Sequence, residues 1–359
     1  MPATTVLGPI DGDRLGVTLM HEHLLIDVSY KWTPPVEVSL RALAEQPITL
    51  SNLGYLRRNI GAVKANFRLD DVDTAATEAL AFRREGGGTI VDVSPPGIGR
   101  DPRGLRAIAV QSGVNVITCT GFYLARSHPP RVADMSVEAL CDEMVGEIRD
   151  GIGDSGIRPG IIGEIGLGEP MYVAGHTGDE MHRDEEKVLR AAGRAQRATG
   201  LPITIHIYNY RPNRLAHLAL DVLVSEGVQL DRVVMGHLDV RIDVDYAASV
   251  AERGAYVEFD TFGIEAYIDS SLSQYPRDTE RVAALVALVE RGHLERLLVS
   301  HDVCTKMQLS AYGGWGYAHL SRHIEPRLKV AGLSSAQIHT IRVDNPRRLL
   351  DVPVEGARA

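Results

Sequence analysis

His21 and His23 stand one residue apart in an apolar stretch, Thr18-Leu-Met-His-Glu-His23. In an extended chain alternate side chains share a side, so both imidazoles face the same way and offer a paired grip on a metal ion. Four more residues of metal-binding type end or follow apolar runs: Glu164 after Gly-Ile-Ile-Gly, His206 after Pro-Ile-Thr-Ile, His237 after Val-Val-Met-Gly and Asp302 after Leu-Leu-Val-Ser-His. Four imidazoles and two carboxylates make a nitrogen and oxygen donor set that suits zinc, manganese, cobalt or iron. A lone buried histidine is more often a hydrogen-bonded core or capping residue than a ligand. Six such groups in one pattern are harder to account for that way, because His-x-His alone costs a core strand two polar groups that must be satisfied.

The elements that must position these six are short β-branched runs bounded by Gly, Pro or Asp, with helical periodicity between them. The strand candidates cover 17–27, 89–94, 115–122, 160–167, 202–208, 233–239, 255–262 and 297–302. Helices are expected at 71–84, 102–112, 137–150, 185–198, 211–226, 244–253 and 279–291. Eight strands alternating with helices predict an α/β fold, a (β/α)8 TIM barrel, whose active site lies at the C-terminal ends of the strands. Runs such as 203–207 are nearly continuous in Val and Ile, as parallel strands buried on both faces should be. An open doubly wound sheet is the alternative, but no Gly-x-Gly-x-x-Gly follows the first strand. One domain over 1–359 is expected, with an insertion after the first strand at about 30–66 and a C-terminal helical segment at about 303–350, both on the active-site rim.

Composition narrows the function. The hydrophobic fraction is 44% and the charged fraction 24%, which is ordinary for a globular chain. Lys+Arg of 38 against Asp+Glu of 47 leaves a net charge of −9, which repels nucleic acid and anionic membranes. The three cysteines, Cys119, Cys141 and Cys304, lack the spacing of a thiolate site or a disulfide framework, and fit a reducing cytoplasm. No stretch approaches the roughly 20 apolar residues of a membrane helix, and the N-terminus lacks a signal-peptide pattern. His128, His176, His182, His217, His293, His319, His323 and His339 fall in expected loops or helices and read as surface or capping residues. His301 should point away from Asp302 and serve as support.

The order of ligand types along the strands resembles the amidohydrolase superfamily, in particular its phosphotriesterase-like family. The resemblance runs almost end to end, through Gly97-Ile-Gly-Arg-Asp-Pro102, Thr120-Gly-Phe-Tyr123, Gly163-Glu-Ile-Gly166, Met235-Gly-His-Leu-Asp239, Ser300-His-Asp302 and Asn345-Pro-Arg-Arg-Leu349. Lys306 and Tyr312-Gly-Gly-Trp-Gly-Tyr317 look most like the phosphotriesterase-related branch. Many family members bridge two metals with a carboxylated lysine on strand four. This chain has no lysine between Lys64 and Lys187, so the resemblance implies that Glu164 is the bridge, as in that branch.

The arrangement so implied has one divalent metal on His21, His23 and Asp302 and a second on His206 and His237. Glu164 and a hydroxide span them at roughly 3.5–4 Å, with zinc the first expectation and Mn, Co or Fe the others. Such a hydroxide attacks a small-molecule ester, lactone, phosphotriester or amide, and Asp302 is the candidate for proton transfer to the leaving group. The resemblance favours a lactone or N-acyl amide, with organophosphate ester hydrolysis as a side activity. Tyr123 could bond a substrate carbonyl and Lys306 a substrate carboxylate or sulfonate. Alternatives are a metal-dependent deoxyribonuclease of the related barrel type, disfavoured by the charge, and a non-catalytic metal-binding barrel. Family members are commonly dimers, so a homodimer is the assembly implied, though no interface can be located in the sequence.

Overall fold

The computed structural model describes residues 2–35, 37–168, 181–207, 214–268 and 273–351. Its parallel strands are β1 Val17–Glu22, β2 Gly87–Asp92, β3 Asn115–Ile117 resuming at Cys119–Thr120, β4 Ile161–Leu167, β5 Ile203–Ile207, β6 Val233–Met235, β7 Tyr256–Phe259 and β8 Leu297–Val299. They pair in chain order, β1-β2-β3 through the first part of β3 and β3-β4-β5-β6-β7-β8 through the second. Contacts at and just past the strand ends join β8 to β1: Asp302 N donates to His21 O at 3.2 Å, and His21 N to Ser300 Oγ at 3.1 Å. The protein is a (β/α)8 barrel.

The outer helices are α1 Val72–Arg84, α2 Pro102–Ser112, α3 Val137–Asp150, α4 Arg183–Thr199, α5 Leu215–Ser225, α6 Val244–Glu252 and α7 Asp278–Glu290. Asp71, Asp101, Ser136 and Asp243 accept backbone N–H groups at the starts of α1, α2, α3 and α6, where helices leave donors unpaired. Helix α4 starts two residues ahead of the expected 185 because the His182 side chain caps it by accepting from Asp184 N. Tyr208, residues 211–213 and His176 lie outside the described residues. After β8 the chain forms short helical segments, ending in Asn345–Leu350. Asn345 Nδ2 donates to the Leu294 and Leu297 carbonyls and so ties this end to the base of β8.

One apolar cluster contains Met20, Val91, Ile117, Ile161, Val234, Tyr256 and Leu298, drawn from seven different strands. Residues from so many strands can meet only on the barrel axis. Further along the chain and on the same face stand Ser300 and Glu258, two residues on from Leu298 and Tyr256, and Asp260, four on from Tyr256. The interior thus changes from apolar to polar toward the C-terminal ends.

Strands β6 and β8 stop at Met235 and Val299, short of the expected 239 and 302. The reason is conformational: His237 and Asp302 have φ of 57° and 49°, and they alone among the described non-glycine residues have positive φ. Left-handed backbone cannot continue a strand, and it costs energy at residues with a Cβ. The insertion contains helices Val38–Ala44 and Leu50–Leu56, and its Leu56, Ala62 and Val63 pack with Met307 of the segment after β8. The two rim segments therefore brace each other. None of the described helices is long and apolar enough to cross a membrane.

Below the rim Arg281 of α7 is fully buried. Its Nε donates to Asp239 at 2.9 Å, its Nη1 to Asp278 at 3.1 Å and its Nη2 to Thr261 Oγ1 at 2.8 Å. Replacing Arg281 by Met keeps the bulk but strands buried carboxylates, so denaturant unfolding should show a loss of about 3–5 kcal/mol.

Candidate metal centre

Of the six residues singled out from the sequence, the other five gather around Glu164. From β1, His21 Nε2 lies 3.4 Å from Glu164 Oε2, and His23 Nε2 lies 3.3 Å from Oε1 and 3.3 Å from Asp302 Oδ1. From β5 and the turn after β6, His206 Nδ1 and His237 Nε2 approach Oε2 at 3.3 and 3.8 Å. The nitrogens of His206 and His237 are themselves only 2.6 Å apart. His21, His23, Glu164 and His237 are buried, while the side chains of His206 and Asp302 keep 13% and 16% exposure and face the opening. Local backbone explains the aim of Glu164: Gly163, at φ 106°, lets the strand pass so close to β5 that a Cβ would collide with the Thr204 carbonyl.

Behind the His237 and His23 imidazoles stand hydrogen-bond partners. His237 N and Nδ1 both reach Asp260 at 2.9 Å, which leaves Nε2 turned to Glu164. His23 Nδ1 bonds Ser94 Oγ at 2.9 Å, and Ser94 is held in turn by Asp92, which takes Ser94 N at 3.1 Å and Leu24 N at 2.6 Å. Such partners fix tautomer and ring orientation in metal sites. His21 is the exception: its Nδ1 lies 3.4 Å from Asp260 and 3.6 Å from Glu258, and neither ring nitrogen has a hydrogen-bond partner.

Glu22 organises the other side. Its Oε1 accepts from Ser300 Oγ at 2.8 Å, His301 N at 2.9 Å and His301 Nδ1 at 2.7 Å, and its Oε2 accepts from Val303 N at 3.0 Å. These bonds bracket Asp302 and hold the strained turn that presents it. His301 is turned to Glu22 and accepts from Leu320 N through Nε2, a supporting place.

The electrostatics demand positive charge. Burial works to raise the Glu164 carboxyl, but the imidazoles of His206, His21 and His237, with nitrogens 3.3, 3.4 and 3.8 Å from Oε2, outweigh it and hold the group well below the usual carboxylate range. Burial opposes charge on His237, yet the Asp260 carboxylate raises it to about 10. Burial and the adjacent His237 charge push His206 down to about 3. Protons and metal ions compete for these same nitrogens. The fit to metal is good: His21 Nε2 and Glu164 Oε2 are both buried without a hydrogen bond and 3.4 Å apart, and the donors are all imidazole nitrogen or carboxylate oxygen.

Tyr123 follows β3 and places its Oη 3.3 Å from both His206 ring nitrogens. Burial, reinforced by Glu164, keeps its phenol protonated. Lys306 instead pairs with Asp70 at 3.4 Å on the rim. Among the described residues, Lys31 brings a cation to the site and donates to Tyr123 Oη at 2.9 Å. Sequence reasoning missed Lys31, Glu22, Ser94 and Asp260. Asp260 carried the same signal as the candidate ligands, a polar residue ending an apolar strand. Of the other histidines, His319 is buried rather than on the surface and bonds Asp278 at 2.6 Å.

The phosphotriesterase family profile matches residues 1–350. An N-acetyltaurine hydrolase of Xenopus tropicalis is 35% identical over 354 residues, covering 96% of this chain and 97% of that protein. Among solved structures, a resiniferatoxin-binding protein from Rhodobacter sphaeroides is 42% identical with a TM-score of 0.92, covering 99% of this chain and 96% of that one. The Escherichia coli phosphotriesterase homology protein, complexed with phosphate in its active site, is 31% identical with a TM-score of 0.74 and covers 94% and 99%. With its barrel, its strand-end histidines and these relatives, the chain belongs to the phosphotriesterase family of the amidohydrolase superfamily and is a hydrolase.

Proposed function

We propose that the protein is a binuclear metal-dependent amide hydrolase that releases an amine from a small N-acyl substrate. The observation that carries this reading is the pair of buried, unpartnered donors on His21 and Glu164 at the centre of six potential ligands. His23, Asp302 and His21 would hold one divalent ion and His206 and His237 the other, with Glu164 turning Oε1 toward His23 and Oε2 toward the remaining imidazoles. When bound, such ions supply Lewis-acid activation of the acyl carbonyl and of the attacking water.

The chain's own groups do the rest. Tyr123 Oη keeps its proton and donates to the carbonyl oxygen as charge builds on it. Asp302, held at the opening by the Glu22 bonds on its neighbours, is placed to carry a proton to the departing amine nitrogen. Ser94, Asp260 and Glu22 do not touch substrate and act by holding ligands in place. The amide preference rests on the N-acetyltaurine hydrolase named above; loops rather than metals choose among amide, lactone and ester. The Rhodobacter neighbour's name favours a second reading, a barrel that binds its ligand without turnover.

Removing metal with a chelator should abolish hydrolysis of N-acetyltaurine and related N-acyl amino acids, and zinc, manganese or cobalt should restore it without bicarbonate. Turnover that persists in protein shown to be metal-free by mass spectrometry contradicts the reading, and a fully metal-loaded protein that hydrolyses none of them supports the binding barrel. Asp260→Asn should weaken metal binding roughly 10–100-fold in competition with a chromophoric chelator while leaving thermal unfolding cooperative.

A further inference from the structure

Lys31 sits in the turn Ser29–Lys31, just after the short strand Ile26–Asp27 that extends β1 toward the rim. The turn is pinned from below: Asp27 N donates to Ile98 O at 2.8 Å, Val28 N to Phe67 O at 3.0 Å and Ser29 N to Asp27 Oδ1 at 3.0 Å. From this fixed base the side chain reaches over the Tyr123 ring, its Nζ 4.8 Å from the centroid and 2.9 Å from the hydroxyl. Tyr123 Oη in turn touches His206, so the ammonium stands two hydrogen-bond lengths from the metal centre.

Two features together mark this lysine. First, among the described residues it has no carboxylate partner, whereas Lys187, Lys306 and Lys329 form ion pairs; Lys64, whose Nζ lies 5.4 Å from the Trp32 ring centroid, shares that lack, but the bond to Tyr123 belongs to Lys31. Second, an ammonium offers three donors and Tyr123 takes one, leaving donors on an exposed head at the edge of the opening. An unpaired cation held by an aromatic face beside a catalytic centre is a counter-charge without its anion.

We propose that Lys31 is the specificity determinant of the site, binding the carboxylate or sulfonate of a substrate whose acid group lies a short spacer away from the scissile acyl carbon. This rests on the hydrolase reading above and names its substrate class: N-acyl amino acids and N-acyl aminosulfonates rather than neutral amides. The positions agree. With the acyl group at the ligands and its oxygen toward Tyr123, an acid group on the amine side extends past Tyr123 to Lys31. An ammonium is a point charge without a fixed fork, so carboxylate and sulfonate are both accepted.

Binding alone tests this, so the outcome does not depend on turnover. Propane-1-sulfonate and butanoate would be titrated calorimetrically into the zinc-loaded wild type, Lys31→Met and Lys31→Arg, with acetohydroxamate as a metal-directed control. Lys31→Met should weaken both acids about ten- to a hundred-fold, the range of a charge-assisted hydrogen bond. Lys31→Arg should recover most of the affinity, and acetohydroxamate affinity and zinc content should stay at wild-type values throughout. The proposal is overturned if the wild type binds neither acid at millimolar concentration, or if Lys31→Met binds them as the wild type does. It is equally overturned if acids and hydroxamate weaken together, which would make Lys31 a support of the centre. If the acids respond as expected but no N-acyl amide is turned over, the amide hydrolase reading fails while the acid-binding role of Lys31 stands.

Discussion

Glu164 is a carboxylate buried from water and surrounded by four imidazoles, and most of the architecture can be read as the means of keeping it there. An ionised group in an apolar interior is costly unless compensating charge and hydrogen bonds reach it. Only a closed ring of strands brings groups from β1, β4, β5 and the turns after β6 and β8 to one point without crossing the chain. The barrel supplies that ring, with an apolar layer beneath and an open end above. The two described non-glycine residues forced into left-handed backbone, His237 and Asp302, both belong to this cluster, so strain is placed where the ligands must turn inward.

Compensation continues outward in a second ring of acids. Asp260 holds His237, Asp92 holds Ser94 and through it His23, and Glu22 fastens the turn that carries Asp302. Asp239 and Arg281 extend the network, since Asp239 accepts from Asp260 N, Thr261 N and the Arg281 guanidinium. A change in one acid is therefore felt at the ligands through a defined chain of bonds. The rim is built differently. There the insertion after β1 and the segment after β8 pack on each other and present few, exposed groups, of which Lys31 touches the site.

That the six candidate ligands gather at one place was legible in the sequence, because a histidine or acid at the end of an apolar strand breaks the pattern around it, and six such breaks share one end of the barrel. The strand count followed from the same alternation. The supporting groups were harder to see. Glu22 lies in plain sight between His21 and His23, but its bonds run to residues 278 to 281 positions away, which no local pattern reveals. Asp260 ends strand seven as the six candidate ligands end theirs, yet it is bonded to His237. Lys306, the basic residue picked from the tail, is drawn off by Asp70, while Lys31 sits in an irregular turn whose direction depends on contacts with Ile98 and Phe67. Turn direction at a rim is a tertiary property, and charge alone did not distinguish the two lysines.

The central claim is that Glu164 joins two metal ions. Crystals grown with zinc, with diffraction recorded on both sides of the zinc absorption edge, test it most directly. The account predicts two anomalous peaks flanking the Glu164 carboxylate, one beside His23 and Asp302 and one beside His206 and His237. A cluster that shows no peak, with Glu164 surrounded by protonated imidazoles instead, would contradict it.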